Sequence, residues 1–155
     1  MTRKLEVVLE EVHQSREKGF NCAEGVFWGV SQYLGLSVPV SCMAGFGGGV
    51  AGSGSVCGAL SGALAAVGVY VGRTDPEDRE AKVRATALSK AVAAAFISKM
   101  GTQLCREILG YLPGNKPAHR PDGINPKCRK AVTLAVKLAV EAVEKDQQKY
   151  KQTQN

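Results

Sequence analysis

The sequence predicts an all-α protein, a bundle of four to five principal helices with a glycine-rich loop and a short helical turn. Three observations predict it. Apolar residues recur at three- and four-residue steps through most of the chain, several of these stretches begin at cap-plus-proline signals and end at glycine, and no run alternates as a strand would.

Leu5, Val8, Leu9 and Val12 make an amphipathic first helix from Leu5 to Lys18, ended by Gly19. Asn21 with Glu24 three residues later is a capping-box start for a second helix through Val26, Phe27, Val30 and Leu34, stopped at Gly35. Gly45 to Gly54 is too rich in glycine for regular structure, each glycine costing about 0.5–1 kcal/mol against alanine, and reads as a structured loop. Ser53 or Ser55 then caps a third helix, Val56 to Val71, in which Gly54, Gly58 and Gly62 fall four apart and offer a smooth face for another backbone. Asp75-Pro76-Glu77-Asp78 starts a long fourth helix reaching Met100. After Gly101, Thr102 caps a short turn with Cys105 that closes at Gly110. Tyr111 to Ile124, with three prolines, is a loop, and Asn125-Pro126 opens the last helix through Val132, Val136, Val140 and Val143. The chain turns polar from Lys145, so residues 1–145 are read as one helical domain and 146–155 as a frayed tail.

A chain of 155 residues buries about 68–70% of its extended surface, enough for a core without disulfides. Its 45% hydrophobic and 22% charged content excludes a disordered chain and a polytopic membrane protein. The net charge of +6 is scattered among acids, and the 6% aromatic content lies mostly in apolar stretches, so no nucleic-acid surface is expected. The run Val56 to Val71 is short of the roughly 20 residues of a membrane span and reads as a buried central helix. The N-terminus has no apolar signal core, which points to a cytoplasmic, reducing location.

Five cysteines are an odd number for a disulfide framework, and four of them open helices: Cys22 after Asn21, Cys57 after the Ser53–Ser55 turn, Cys105 after Thr102, and Cys128 after Asn125. A helix's first turn offers unpaired N–H groups and about half a positive charge, which favours thiolate over thiol. That effect alone is worth about 0.3–1 kcal/mol, so strong activation would need Arg106, Lys127, Arg129 or a metal. Any one such cysteine is more often a small buried hydrophobe; four together argue for chemistry. Cys42 has no comparable cap and is assigned to packing.

The joint spacing resembles that of the redox-active proteins named for their C, GCAxxG, C, C pattern, relatives of the split-Soret cytochrome c domain. The stretches that carry the resemblance are Phe20-Asn21-Cys22-Ala23-Glu24, Gly45-Phe46-Gly47-Gly48-Gly49, Val56-Cys57-Gly58-Ala59-Leu60-Ser61-Gly62, Gly101 to Gly110 around Cys105, and Cys128. The resemblance implies a helical domain in which Cys22, Cys57, Cys105 and Cys128 are the functional set, as iron–sulfur ligands or redox thiols. No CxxCH occurs, so covalent haem is not expected.

An iron–sulfur cluster for electron transfer or redox sensing leads, because four thiolates backed by helix N–H groups are what such a cluster needs. Metal-free thiol/disulfide exchange follows. Structural zinc ranks lower, since its sites usually present two close-spaced cysteine pairs, and a helical interaction module with packed thiols stands as the non-redox alternative. The redox partner is not legible, and a homodimer packed through the glycine face is the oligomer the pattern allows. Gly47-Gly48-Gly49-Val50-Ala51-Gly52 satisfies GxGxxG, but no strand precedes it and no dinucleotide is expected. His13 and His119 read as exposed and inert.

Overall fold

Six α-helices follow one another in the computed structural model, which describes residues 3–115 and 123–154: α1 (Leu5–Glu17), α2 (Cys22–Leu34), α3 (Gly58–Val71), α4 (Arg79–Met100), α5 (Cys105–Leu109) and α6 (Pro126–Thr153). A 3-10 segment, Val40–Phe46, joins α2 to the glycine loop. The all-α expectation holds, and among the described residues β structure amounts to one isolated bridge, Val56 with Leu104.

Two caps are where the sequence puts them. Asn21 and Glu24 form the capping box of α2 through reciprocal 2.8 Å bonds, and Asn125 accepts from the Lys127 N–H with Pro126 in the first turn of α6. Two others shift. Helix α4 begins at Asp78, whose carboxylate accepts from Ala81 N–H, while Asp75 turns the chain by accepting from Glu77 N–H. Helix α3 starts at Gly58 with Cys57 itself as cap, because Ser53 donates instead to the Gly49 carbonyl.

Helix α3 is the central element, packed against α2, α4 and α6. Gly62 is the reason α2 comes so close: a Cβ there would stand 2.5 Å from the Ala23 carbonyl oxygen. The smooth face is therefore filled within the chain, which removes it as an exposed dimer surface; Gly54 lies before the helix. Val8, Val12, Val26, Phe27, Val30, Leu60, Phe96, Val132 and Val136 complete a core with 0–1% exposure. No helix among the described residues is long and apolar enough to cross a membrane.

Two expectations fail for tertiary reasons. The helix does not fray at Lys145 but continues to Thr153, because Asp146, 9% exposed, accepts from Tyr70 Oη at 3.0 Å and Arg84 Nε at 2.9 Å. The Arg84 guanidinium in turn lies over the Tyr150 ring at 4.2 Å. His13, expected exposed, is 9% exposed with Nε2 2.8 Å from Thr133 Oγ1 on α6. His119 lies outside the described residues.

Burial is the largest influence on Asp146 and pushes its pKa up, but the bonds from Arg84 and Tyr70 together outweigh it and hold the carboxyl below its ordinary value. Such a group stabilises above its unfolded pKa of about 4 and loses that contribution as pH falls through its lower folded value. Asp146→Ala is expected to cost about 1–2 kcal/mol, less than the roughly 3–5 kcal/mol of an enclosed pair, because Arg84 keeps solvent access. The gap in Tm between variant and parent should hold steady from neutral pH to about 5 and close below about 4; a gap unchanged at lower pH would contradict the assignment.

Candidate functional site

The four predicted cysteines do stand at helix starts: Cys22 and Cys105 are the first residues of α2 and α5, Cys57 is the cap of α3, and Cys128 is the third residue of α6. Cys57 and Cys105 are buried, at 6% and 7% exposure, while Cys22 and Cys128 are partly exposed. Cys42 is exposed in the 3-10 segment.

A short backbone ladder joins two of them. Cys57 N–H donates to the Gln103 carbonyl and Cys105 N–H to the Ser55 carbonyl, each at 2.7 Å, around the Val56–Leu104 bridge. In an antiparallel pair, alternate residues share a face, so Cys57 and Cys105 lie on the side opposite Val56 and Leu104. They are diagonal neighbours, for which the Cα separation is about 7–8 Å. Three residues on each side, around one isolated bridge, are too few for an alternating run, which is why sequence periodicity could not show this ladder. Thr102 supports it by accepting from Leu104 N–H at 3.1 Å; it does not cap α5 as expected, because the cap position falls two residues later, at Leu104.

Glycines bring the remaining parts in. A Cβ on Gly58 would collide with Cys22 Sγ, so the Cys22 sulfur rests on the first turn of α3, next to Cys57. Gly49, at φ +71°, has room for no side chain: a Cβ would meet Cys105 Cβ and Ser55 N at 2.6 Å. The loop around it runs left-handed from Gly48 to Gly52 and holds even Val50 (φ 66°) and Ala51 (φ 51°) in that region, at about 1–2 kcal/mol for each non-glycine residue. Backbone bonds from Ala51 N–H to Gly45 and Ser55 N–H to Gly49, both 2.8 Å, hold it in place. The loop follows the 3-10 segment rather than a strand, in keeping with its reading as no dinucleotide fingerprint.

The electrostatics reverse one expectation. Cys57 is pushed up to about 12, first by burial and next by the charge of Cys22, with Cys105 contributing; the Ala59 and Leu60 amides favour the thiolate but do not prevail. Cys105 is pushed up to about 11 by burial, then by Cys22 and Cys128. Helix starts therefore do not activate these two thiols, because desolvation exceeds the dipole. The charges acting on both are those of other cysteines. Arg106, Lys127 and Arg129, the cations adjacent in sequence, are not among them.

All four predicted cysteines are thus within electrostatic reach of Cys105 or Cys57, and Cys42 does not join them. Among the described residues, no group of three or more His, Cys, Asp or Glu side chains is arranged to hold a metal ion. An all-α chain with four cysteines at its helix starts is a cysteine-bearing helical protein. Comparison with protein families then says which: residues 20–142 match the family described as "Putative redox-active protein (C_GCAxxG_C_C)", and the chain belongs to it. The matched span holds all five cysteines and begins after α1. No curated protein and no solved structure matches the chain.

Proposed function

We propose that the protein is an electron-transfer or redox-sensing protein in which Cys22, Cys57, Cys105 and Cys128 ligate an iron–sulfur cluster. The observation that supports the reading is that Cys22 Sγ rests on Gly58 beside Cys57, the backbone ladder ties Cys57 to Cys105, and Cys105 feels the charge of Cys128. Buried thiolates repel; a cationic iron centre is the group that turns their proximity into attraction and deprotonates them outright.

Zinc is less favoured because structural zinc sites usually present two close-spaced cysteine pairs, which spacings of 35, 48 and 23 residues lack. Four thiolates are the usual complement of an iron–sulfur cluster. When bound, it supplies an electron-transfer couple. The chain's part is to direct the Ala59 and Leu60 amides toward Cys57, to exclude water at Cys57 and Cys105, and to leave the Cys22 and Cys128 side toward solvent, where a redox partner would exchange electrons.

Thiol/disulfide exchange is the second reading, and the geometry favours it less. At neutral pH Cys57 and Cys105 are thiols rather than the attacking thiolate. Each pair that the cap positions suggest, Cys105 with Cys128 and Cys22 with Cys57, contains one of these raised thiols. Anaerobic purification from a reducing cytoplasm tests the proposal. Visible charge-transfer absorption with stoichiometric iron and acid-labile sulfide is expected; a colourless protein that stays so after reconstitution with iron and sulfide overturns it, and stoichiometric zinc would replace it.

A further inference from the structure

A groove of about 630 Å³ runs between the end of α4 and the first half of α6; its lining includes Pro126 and Arg129, on either side of Cys128 in sequence, but none of the five cysteines. Lys99 comes from α4, and Arg129, Lys130, Thr133, Leu134 and Lys137 come from one face of α6. That face follows the helical repeat, while the face carrying Val132, Ala135 and Val136 is in the core. Among the described residues, four cations and no carboxylate line the groove. Arg129 meets Glu17 at 3.4 Å with both side chains at least half exposed, and Lys99 is felt by Glu141. Among the described residues no ion pair engages Lys130 or Lys137.

The groove wall also has a hydroxyl with a buried support. Thr133 Oγ1 is 2.8 Å from His13 Nε2, and His13 Nδ1 is buried without a partner. Burial, then Arg129 and Arg16, lower the His13 pKa, so the ring is neutral at pH 7. A proton on Nδ1 would be a buried orphan donor. On Nε2 it bonds to Thr133 and leaves only a lone pair unmatched, the cheaper defect. In that tautomer His13 does not use the Thr133 hydroxyl hydrogen.

We propose that this groove binds a small molecule carrying two linked phosphates, with Lys99, Arg129, Lys130 and Lys137 around the phosphates and the Thr133 hydroxyl donating to a phosphate oxygen. A terminal phosphate carries about 1.5–2 negative charges and an inner one about 1, so a linked pair offers roughly three charges to the four cations where a single carboxylate offers one. The volume falls within the roughly 300–1,000 Å³ of small-molecule sites, and Leu134 with the lysine stems offers apolar surface to the remainder of the ligand.

Calorimetric titration of the full chain with pyrophosphate and with ADP at low ionic strength tests this. Binding is expected, weakened roughly tenfold or more in the double variant Lys130→Gln, Lys137→Gln, because two charged hydrogen-bond donors are lost. The double variant Lys149→Gln, Lys151→Gln carries the same charge change on the exposed far end of α6 and should bind as the parent does. Tighter binding of ADP assigns a nucleotide, and equal binding assigns a bare polyphosphate. No binding of either probe, or equal weakening in both double variants, overturns the proposal, the latter by showing diffuse attraction to the net charge of +6.

Discussion

Cys105→Ser is expected to remove the visible absorption of the anaerobically purified protein and most of its iron and sulfide, while Cys42→Ser leaves all three unchanged. Cys105 is the thiol that senses both Cys22 and Cys128 and is tied to Cys57 by the backbone ladder, so it sits at the middle of the set. Serine keeps the size but offers a poor ligand for iron. The same substitution removes a buried thiol pushed up to about 11, so the metal-free fold should survive it, and circular dichroism of the apo-protein separates loss of ligand from loss of fold. Iron retained at the parental level in Cys105→Ser would sink the ligand assignment. Equal loss in Cys42→Ser would mean that the fifth cysteine had been misread.

Gly49→Ala is expected to be the most destabilising single methyl that can be added near the site. Its φ of +71° is left-handed, costing an L-residue about 1–2 kcal/mol. The added carbon would also press on Cys105 Cβ and on both the N and O of Ser55, within 2.7 Å, and overpacking of this kind costs about 1–3 kcal/mol. Together these predict a loss of about 2–5 kcal/mol, which for a domain of this size is a fall in Tm of about 4–20 °C. Gly35→Ala is the matched control, since its φ of +67° is similar and nothing lies within 4 Å of the added carbon; it should show the backbone strain alone. Thermal melts of the two apo-variants with equal Tm would mean that the loop yields and that Gly49 does not hold Cys105 in place.

Local chemistry was legible along the chain because it acts over three or four residues. The capping box at Asn21, the proline start at Asn125-Pro126 and the glycine stops at Gly35 and Gly101 all stand where the residue pattern puts them. The same short range explains the misplaced cap of α3. Ser53 has a choice between a helix and a loop carbonyl, and the loop's left-handed path brings Gly49 O within reach. His13 and Asp146 look solvated by composition, yet each is buried by a helix more than 60 residues away in sequence: His13 by Thr133, Asp146 by Arg84 and Tyr70.

For the candidate site the division is the same. Amino-acid order alone placed four cysteines at helix starts and the family resemblance on them, since both depend on spacing. It could not tell that Val56 and Leu104 would pair, that Cys22 would rest on Gly58, or that two thiols would be pushed up rather than down. Those outcomes depend on which surfaces exclude water from which sulfurs. Desolvation and mutual repulsion are properties of distance in space, and distance between residues 35, 48 and 23 positions apart is set when the helices pack.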